Sequence, residues 1–183
     1  MIRFFDVIIS IIILILTFPI LLLIIIYYLL IERSNPLFMQ VRIGKNKKPF
    51  KILKIRTMKI GTKNLLTHNL DEKNITRIGF ILRKYKIDEI PQFVNVIMGQ
   101  MSIVGPRPGL TTHKELIDLR SSFNLFKYKP GITGLSQILN IDMSDPRILA
   151  KSDLKMYDDF NLINYFKYIF LTLFRKKPGE KIK

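Results

Sequence analysis

The sequence predicts a mostly helical α+β protein with a membrane-embedded segment, a small β-hairpin and amphipathic helices. Three observations predict it. An apolar run near the N-terminus carries no charge over 25 residues, two short strand-like runs flank a polar turn, and later segments repeat apolar residues at helical spacing. A chain of 183 residues suits one domain with a modest core.

The apolar run extends from Val7 to Ile31. A helix of roughly 20 apolar residues can cross a bilayer. The run is too long for a secretory signal peptide, and it lacks the polar face of a soluble helix. Pro19 stands at its centre, where proline removes a backbone donor and clashes with the carbonyl of Ile15. Two structures fit: a kinked transmembrane helix, which the run alone favours, and a re-entrant helix-break-helix that enters one leaflet and returns.

The charges beside the run favour the re-entrant form. Arg3 precedes the run, and Arg33 and further basic residues follow it. Positive charge on both flanks fits both ends lying on the cytoplasmic side of the membrane. Asp6 is predicted to cap the first helix, because an acid near a helix N-terminus is favourable.

The next segments predict a hairpin, a loop and a short helix. In "FMQVRIGKNKKPFKILKIRTM", two strand-like runs flank the polar "GKNKKP", which predicts a β-hairpin. Residues 59–74 are polar and aperiodic, so they are predicted to form a loop. Residues 75–85 predict a short helix with basic residues on one side.

The second half of the chain predicts further helices. Asp88 stands at a helix N-cap position, with Pro91 in the first turn and Gly99 at the end of that helix. A turn is predicted at Lys129-Pro130-Gly131 and Gly134. Two amphipathic helices are predicted, over residues 147–159 and over residues 163–176, the second closed by Arg175, Lys176 and Lys177. The second is too short to span a bilayer, so it lies in the interface or packs on the core.

Composition restricts the partners. Lys and Arg number 30 against 14 acids, a formal net charge of +16, which indicates an anionic partner such as a membrane surface, a phosphorylated molecule or nucleic acid. Cysteine is absent, which excludes disulfides and thiolate metal sites. The two histidines, His68 and His113, fit no metal-ligand spacing.

The adjacent carboxylates Asp88 and Glu89 have two interpretations. Taken alone, an Asp at an N-cap with a Glu in the first turn is ordinary helix punctuation. Basic residues surround them in the sequence, however, and this favours phosphate chemistry: Lys54, Arg56, Arg83, Lys84, Lys86 and Arg107. A carboxylate can attack phosphorus and form an aspartyl-phosphate intermediate, with Mg²⁺ bringing the two anions together.

The sequence "GPRPG" predicts a stiff loop. Pro106 fixes its own φ, and Pro108 biases Arg107 toward an extended conformation. A guanidinium presented in this way suits bidentate phosphate binding. Taken alone, however, the motif is more often a plain surface turn.

These motifs resemble the bacterial sugar transferases, the monotopic phosphoglycosyl transferases, in their minimal small form. The resemblance extends over nearly the whole chain. It includes the apolar run with its central proline, "PLFMQVRIG", "FKILKIRTM", "TRIGFILRKYKIDEIPQ", "GQMSIVGPRPG" and "KPGITGLSQ", in this order.

The resemblance implies a function and a location. Members move a phospho-sugar from a UDP-sugar to polyprenol (undecaprenyl) phosphate with Mg²⁺ and release UMP. This is the first membrane step of polysaccharide or glycoprotein-glycan assembly. It implies a monotopic protein of the bacterial inner membrane, with residues 1–33 as a re-entrant helix kinked at Pro19 and residues 34–183 as a catalytic domain on the cytoplasmic face. No nucleic-acid partner is expected.

The resemblance also implies residue roles. Asp88 is the nucleophile and lies near the metal, and Glu89 positions it and assists proton handling. The implied substrate- and phosphate-binding residues are Lys54, Arg56, Arg83, Pro106, Arg107, Pro108 and Gln137.

Three positions depart from the family pattern. Phe18 stands where relatives often have a Ser before the central proline, and Lys86 stands where a Ser often precedes the dyad segment. Ile141 occupies the position nearest to an Arg that often follows "GLxQ", so either Arg147 substitutes for that Arg or recognition of the donor differs.

Two other functions remain open from the residues. A non-enzymatic basic module tethered to the membrane needs only the apolar run and the charge. A glycosyltransferase would pass the sugar without phosphate and release UDP instead of UMP.

Overall fold

The structure is a computed structural model that describes residues 1–62 and 72–174. Its first element, α1 (Ile2–Leu30), is one helix that continues through Pro19, so the break of the helix-break-helix prediction is not seen there. The Thr17 hydroxyl donates to the Ile13 carbonyl at 2.7 Å in the turn before the proline. By length and composition, α1 is apolar enough to cross a membrane.

The two ends of α1 contact the same globular part. Near its start, Phe5 and Ile9 pack against the main core cluster. Near its end, Ile24 and Tyr28 are buried in a second cluster with Ile55 and Leu82, and the Tyr28 hydroxyl donates to the Arg56 carbonyl. Residues 11–23, all of them described, include no buried side chain. The apolar middle of the helix therefore projects away from the body that holds its ends.

Asp6 does not cap α1, contrary to the prediction. The N-cap is Met1, which makes no side-chain cap, and Asp6 lies inside the helix, 2 % exposed. Its carboxylate accepts hydrogen bonds from the Ser102 hydroxyl, the Ile103 N–H and the Tyr165 hydroxyl at 2.8–3.0 Å. An acid that the sequence predicts as a local helix cap instead joins α1 to residues far along the chain, at positions 102, 103 and 165.

The predicted hairpin is confirmed. Strands β1 (Leu37–Ile43) and β2 (Pro49–Ile55) pair antiparallel, with a short 3₁₀ turn at Lys45–Lys47. The register places Lys54 opposite Phe38. A two-residue strand, β4 (Gly109–Leu110), adds to the outer side of β1 and brings the end of the "GPRPG" loop to the hairpin.

The predicted short helix is confirmed as α2 (Arg77–Lys84), capped by Thr76. It lies so close to the end of β2 that a Cβ on Gly79 would come within 2.2 Å of the Thr57 carbonyl oxygen, which is why a glycine is needed there. The predicted loop over residues 59–74 lies partly outside the described residues. In its described part, Glu72–Asn74 form a 3₁₀ turn, and an isolated bridge joins the flanking residues Met58 and Ile75.

The predicted cap at Asp88 is wrong. Asp88 lies in a 3₁₀ turn, Ile87–Glu89, and the helix α3 (Gln92–Ile97) begins after Pro91 without a side-chain cap. Gly99 follows the helix with a φ of +80°, as predicted for its end. Arg3 closes this end of α3 by donating to the carbonyls of Val96 and Ile97.

The turn predicted at residues 129–134 is partly a strand. β5 (Gly131–Thr133) pairs parallel with β3 (Ser102–Val104), and Gly134 precedes the short helix α5 (Leu135–Ile138). The pairing needs close backbone approach, since a Cβ on Gly131 would meet the Gly105 nitrogen at 2.0 Å. Sequence reading missed it because a three-residue strand has no periodicity.

The remaining helices are α4 (Lys114–Ser122), α6 (Pro146–Asp158), which is capped by Asp145, and α7 (Leu162–Leu173), which is capped by Asn161. Of these, α7 packs on the sheet of β3 and β5, whereas α4 and α6 pack against each other. The two amphipathic helices are confirmed, although the end of the second, with Arg175 to Lys177, lies outside the described residues. On α7, Tyr165 is buried in the core while Ile163 and Phe170 are 79 % and 58 % exposed. The helix thus packs on the core with one face and presents an apolar face outward with the other.

Candidate active site

The dyad lies where β2, α2 and the turn before α3 converge. Lys86, at the start of this turn, adopts a left-handed backbone conformation with a φ of +57°. That conformation is uncommon for a residue with a Cβ. It lets the chain reverse directly after α2, so that Asp88 turns inward, 8 % exposed, and Glu89 faces the hairpin.

Glu89 is held as an anion by the hairpin. Lys54 donates to its Oε1 at 2.8 Å, and the two side chains are 24 % and 28 % exposed. Burial acts to raise the Glu89 pKa. The charge and hydrogen bond of Lys54, followed by the charges of Arg107 and Lys86, outweigh it and lower that pKa to about 2. Lys86, a departure from the family pattern, therefore adds to the positive field around the dyad.

Asp88 behaves in the opposite way. Burial, then the neighbouring Glu89 charge, raises its pKa to about 6, although Lys54 and Arg83 act against that rise. Within the described part of the chain, the hydrogen bond to its carboxylate comes from its own backbone N–H. A carboxylate with few partners, close to its titration point at neutral pH, is available to a ligand or to chemistry.

Arg83 faces the Asp88 side of the dyad. Its Nε donates to the Thr57 hydroxyl at 2.8 Å, and its charge lowers the Asp88 pKa. Thr57 is buried at the end of β2, and nothing in its sequence neighbourhood distinguished it. The structure therefore brings together Lys54, Arg83, Asp88 and Glu89, four of the residues that the resemblance implied for the site.

Arg107 approaches from the other side, on the loop between β3 and β4. Arg120 anchors the loop: it donates to the Arg107 carbonyl at 2.8 Å and forms a buried ion pair with Asp153. Pro106 accepts from the Gly131 N–H at 2.9 Å, and Pro108 accepts from Arg42 at 3.2 Å. All three residues of the predicted Pro-Arg-Pro loop are thus fixed through their carbonyls, while the Arg107 charge acts on Glu89.

Two predicted site residues lie elsewhere. Arg56 donates through Nε to the Asn35 carbonyl at 2.9 Å, beside the end of α1, and it is not among the main causes of either dyad pKa shift. Gln137 lies at the base of the loop, 3.4 Å from the carbonyls of Gly105 and Gly131. The contacts of Gln137 are those of a residue that supports the loop.

The proposed substitute for the missing arginine is also elsewhere. Arg147 forms an exposed ion pair with Glu115 at 3.6 Å. Ile141, at the departing position, packs against an apolar cluster formed by α4 and α6. At Phe18, the other departure, the side chain is 61 % exposed in the projecting part of α1.

A divalent cation would have to share ligands with a substrate. Among residues 1–62 and 72–174, no three His, Asp or Glu side chains cluster as a metal site. Asp88 has unused carboxylate lone pairs, whereas Glu89 is already bound to Lys54. This donor set fits Mg²⁺, which typically takes one or two carboxylates and completes its shell with water and phosphate oxygens.

Comparisons with known proteins agree with these motifs. Residues 1–176 match the family described as "Bacterial sugar transferase". The chain is 38% identical to a UDP-glucose:undecaprenyl-phosphate glucose-1-phosphate transferase from Klebsiella pneumoniae, over 94% of this chain and 39% of that protein. It is 33% identical to a UDP-N-acetylgalactosamine-undecaprenyl-phosphate N-acetylgalactosaminephosphotransferase from Aeromonas hydrophila, over 78% and 36%.

A shorter relative is covered more fully. The chain is 40% identical to the uncharacterized sugar transferase EpsL of Bacillus subtilis, over 82% of this chain and 74% of that protein. By contrast, it spans about two fifths of the length of the Klebsiella relative, 39%.

Proposed function

The chain belongs to the bacterial sugar transferases, and on that premise we propose that it transfers a phospho-sugar from a UDP-sugar to undecaprenyl or another polyprenol phosphate. UMP and a polyprenyl-diphosphate sugar are the products, at the first membrane step of glycoconjugate assembly. The names of the Klebsiella and Aeromonas relatives support this reaction class.

The observation that carries the proposal is the buried, underpartnered carboxylate of Asp88 amid cations. In the first step, an ionised Asp88 oxygen attacks the phosphorus that bears the sugar. The bond from that phosphorus to the bridging oxygen breaks, and UMP leaves with its electron pair. In the second step, an oxygen of the polyprenol phosphate attacks the same phosphorus and frees the carboxylate.

The neighbouring residues supply charge and position. Arg83 stands on the Asp88 side, where the transferred phosphoryl group must lie. Glu89, held by Lys54, stays ionised and keeps Lys54 beside the nucleophile. Five cations thus act on two carboxylates, namely Arg42, Lys54, Arg83, Lys86 and Arg107. A site with that excess of positive charge favours a diphosphate.

Mg²⁺ is part of the proposal, with Asp88 as the residue that would hold it. The ion would offset the negative charge of the diphosphate beside the carboxylate. Because Asp88 is both buried and short of hydrogen-bond partners, its remaining lone pairs suit a hard cation.

The re-entrant arrangement is also proposed. A straight spanning helix would place its ends on opposite sides of the bilayer, whereas both ends of α1 contact one globular body. An apolar middle that projects from this body supports insertion into one leaflet, with the catalytic residues on the cytoplasmic face. The exposed apolar face of α7 supports contact with the same surface.

Turnover with a panel of UDP-sugars tests the function. The purified protein is incubated with each sugar nucleotide, Mg²⁺ and polyprenol phosphate, and the released nucleotide is identified. We expect UMP from at least one donor. Release of UDP would select a glycosyltransferase, and no release from any donor would favour the non-enzymatic membrane module.

Single cysteines test the topology, because the native chain has none. Arg3 is unsuitable for substitution, since it holds the end of α3. Phe4→Cys and Glu32→Cys mark the two ends of α1 at exposed positions. We expect labelling of both from the cytoplasmic side, and labelling from opposite sides would establish a span.

A further inference from the structure

Arg42 lies on β1 behind the Pro-Arg-Pro loop. It stands opposite Leu110 in the β1–β4 pairing. Its Nη1 donates to the Pro108 carbonyl at 3.2 Å, and its Nη2 donates to the Gln40 Oε1 at 2.6 Å. Its Nε is buried and has no hydrogen-bond partner among the described residues. A buried donor without a partner is costly, so its presence calls for an acceptor.

Arg42 is also close to a second guanidinium. Burial, and then the charge of Arg107, lower the Arg42 pKa to about 10, while the charge of Glu89 acts in the opposite direction. Glu89 is the anion that both arginines face, and it already accepts the hydrogen bond of Lys54. The guanidinium groups of Arg42 and Arg107 therefore both interact with the Glu89 carboxylate, which is already hydrogen-bonded to a third cation.

Two arginines act on different carboxylates of the dyad. Arg83 acts on Asp88, Arg107 acts on Glu89 and on Arg42, and Lys54 acts on both carboxylates. The phosphorus under attack must lie beside Asp88. In an in-line displacement the leaving oxygen lies opposite the attacking one. The phosphate that departs with the nucleoside would then lie beyond the attacked phosphorus and farther from Asp88. Arg42 and Arg107 interact with Glu89, so they are the cations left to bind that phosphate.

We propose that Arg42 and Arg107 form one anion site that binds the phosphate of the departing nucleoside monophosphate, with the free Nε of Arg42 donating to a phosphate oxygen. This inference rests on the proposed function and assigns one of its two phosphates. Arg42 also fixes the loop through the Pro108 carbonyl, so it couples binding of this phosphate to the position of Arg107.

Calorimetric titration of the full chain with UMP and with uridine tests the assignment, because the two ligands differ by the phosphate alone. We expect Arg42→Gln to weaken UMP binding by about 10- to 100-fold, the range for a charge-assisted hydrogen bond. Uridine binding should stay within about twofold of wild type. Arg77→Gln, which removes an exposed guanidinium from α2, is the matched control and should change neither ligand.

Arg42→Lys keeps the charge and covers the case in which Arg42→Gln does not fold. It should weaken UMP binding by a smaller factor, at least about threefold, because it lacks the Nε donor. Equal losses for UMP and uridine would assign Arg42 to the loop alone and overturn the inference. So would a folded Arg42→Lys that binds UMP as wild type does.

The inference and the proposed function fail differently. If the turnover assay releases UMP while the Arg42 variants bind UMP normally, this inference alone is wrong. If wild type binds no UMP and releases none from any UDP-sugar, the proposed function is wrong and this inference falls with it.

Discussion

Two buried aspartates, Asp6 and Asp88, differ in how many hydrogen-bond partners their carboxylates have. Asp6 is 2 % exposed and accepts hydrogen bonds from two hydroxyls and a backbone N–H. Asp88 is 8 % exposed, and burial and Glu89 raise its pKa to about 6. The first carboxylate is fully used in holding α1 against the globular part. The second is left short of partners where a substrate can supply them.

The comparison teaches that burial alone does not identify a functional acid. A buried charge is tolerated when donors surround it, and it then stabilises the fold. A buried acid whose neighbours include another acid is unfavourable in the free protein, and such groups concentrate at functional sites. Removing each carboxylate should therefore have opposite consequences for stability and activity.

The largest effect is expected at Asp88. We expect Asp88→Asn to lower turnover by about 1,000-fold or more, because the amide cannot serve as the nucleophile. The protein should remain folded, which circular dichroism and thermal unfolding would establish. Asp118→Asn, at an exposed position on α4, is the matched control. Turnover of Asp88→Asn within tenfold of that control would be inconsistent with a nucleophilic role.

The next effect is expected at Asp6. In the native protein, Ser102, Ile103 and Tyr165 all donate hydrogen bonds to the Asp6 carboxylate. The substitution Asp6→Asn replaces one acceptor oxygen with an NH₂ group, which cannot accept these bonds. We expect the free energy of unfolding to fall by about 4 kcal/mol, as measured by denaturant titration in detergent. If Asp6→Asn were as stable as Asp118→Asn, the tie between α1 and the core would not matter for stability.

A smaller effect should appear in the pH dependence of stability. The Asp88 pKa is about 6 in the folded protein against an ordinary 3.8. A raised acid pKa contributes stability that is present below about pH 4 and is lost as the pH rises through about 6. In metal-free buffer, the stability of Asp88→Asn relative to wild type should therefore rise by up to about 3 kcal/mol between about pH 4 and pH 8. A pH-independent difference would mean that Asp88 is not perturbed.

The smallest effect is expected at Lys54, which lowers the pKa of both dyad carboxylates. Lys54→Met removes that charge, so the Asp88 pKa should rise further and the acidic limb of the pH–rate profile should move to higher pH. We expect intermediate formation near pH 6 to slow by about tenfold. Lys51→Met, exposed on the same strand, should leave the profile in place. A limb that moves to lower pH would contradict the assigned electrostatics.

The sequence anticipated the elements that depend on local pattern. The hairpin, α2, α6 and α7 follow from turn residues and periodicity. The resemblance named the dyad, Lys54, Arg83 and Arg107 as site residues, and the structure brings these residues together. Arg56 lies two residues after Lys54, so on a strand it is expected to point to the same face and join the same site. The structure turns it to the Asn35 carbonyl instead, because the end of β2 packs beside α1.

The long-range ties could not be read from local pattern. Asp6 and Tyr165 are 159 positions apart, and Arg120 and Asp153 are 33 apart. The sequence around Asp6 also fits a helix cap, so nothing local indicated its long-range hydrogen bonds. Arg42 lies in a quoted motif, but only the pairing of β1 with β4 reveals that its guanidinium meets the Pro-Arg-Pro loop.

The most direct test is to look for the covalent intermediate. Wild-type protein is incubated with an accepted UDP-sugar and Mg²⁺ but without polyprenol phosphate, and its intact mass is measured. We expect UMP release together with a mass increase of one phospho-sugar, located on the Asp88 peptide and absent from Asp88→Asn. Turnover at the normal rate with no adduct on Asp88 at any time would contradict the account.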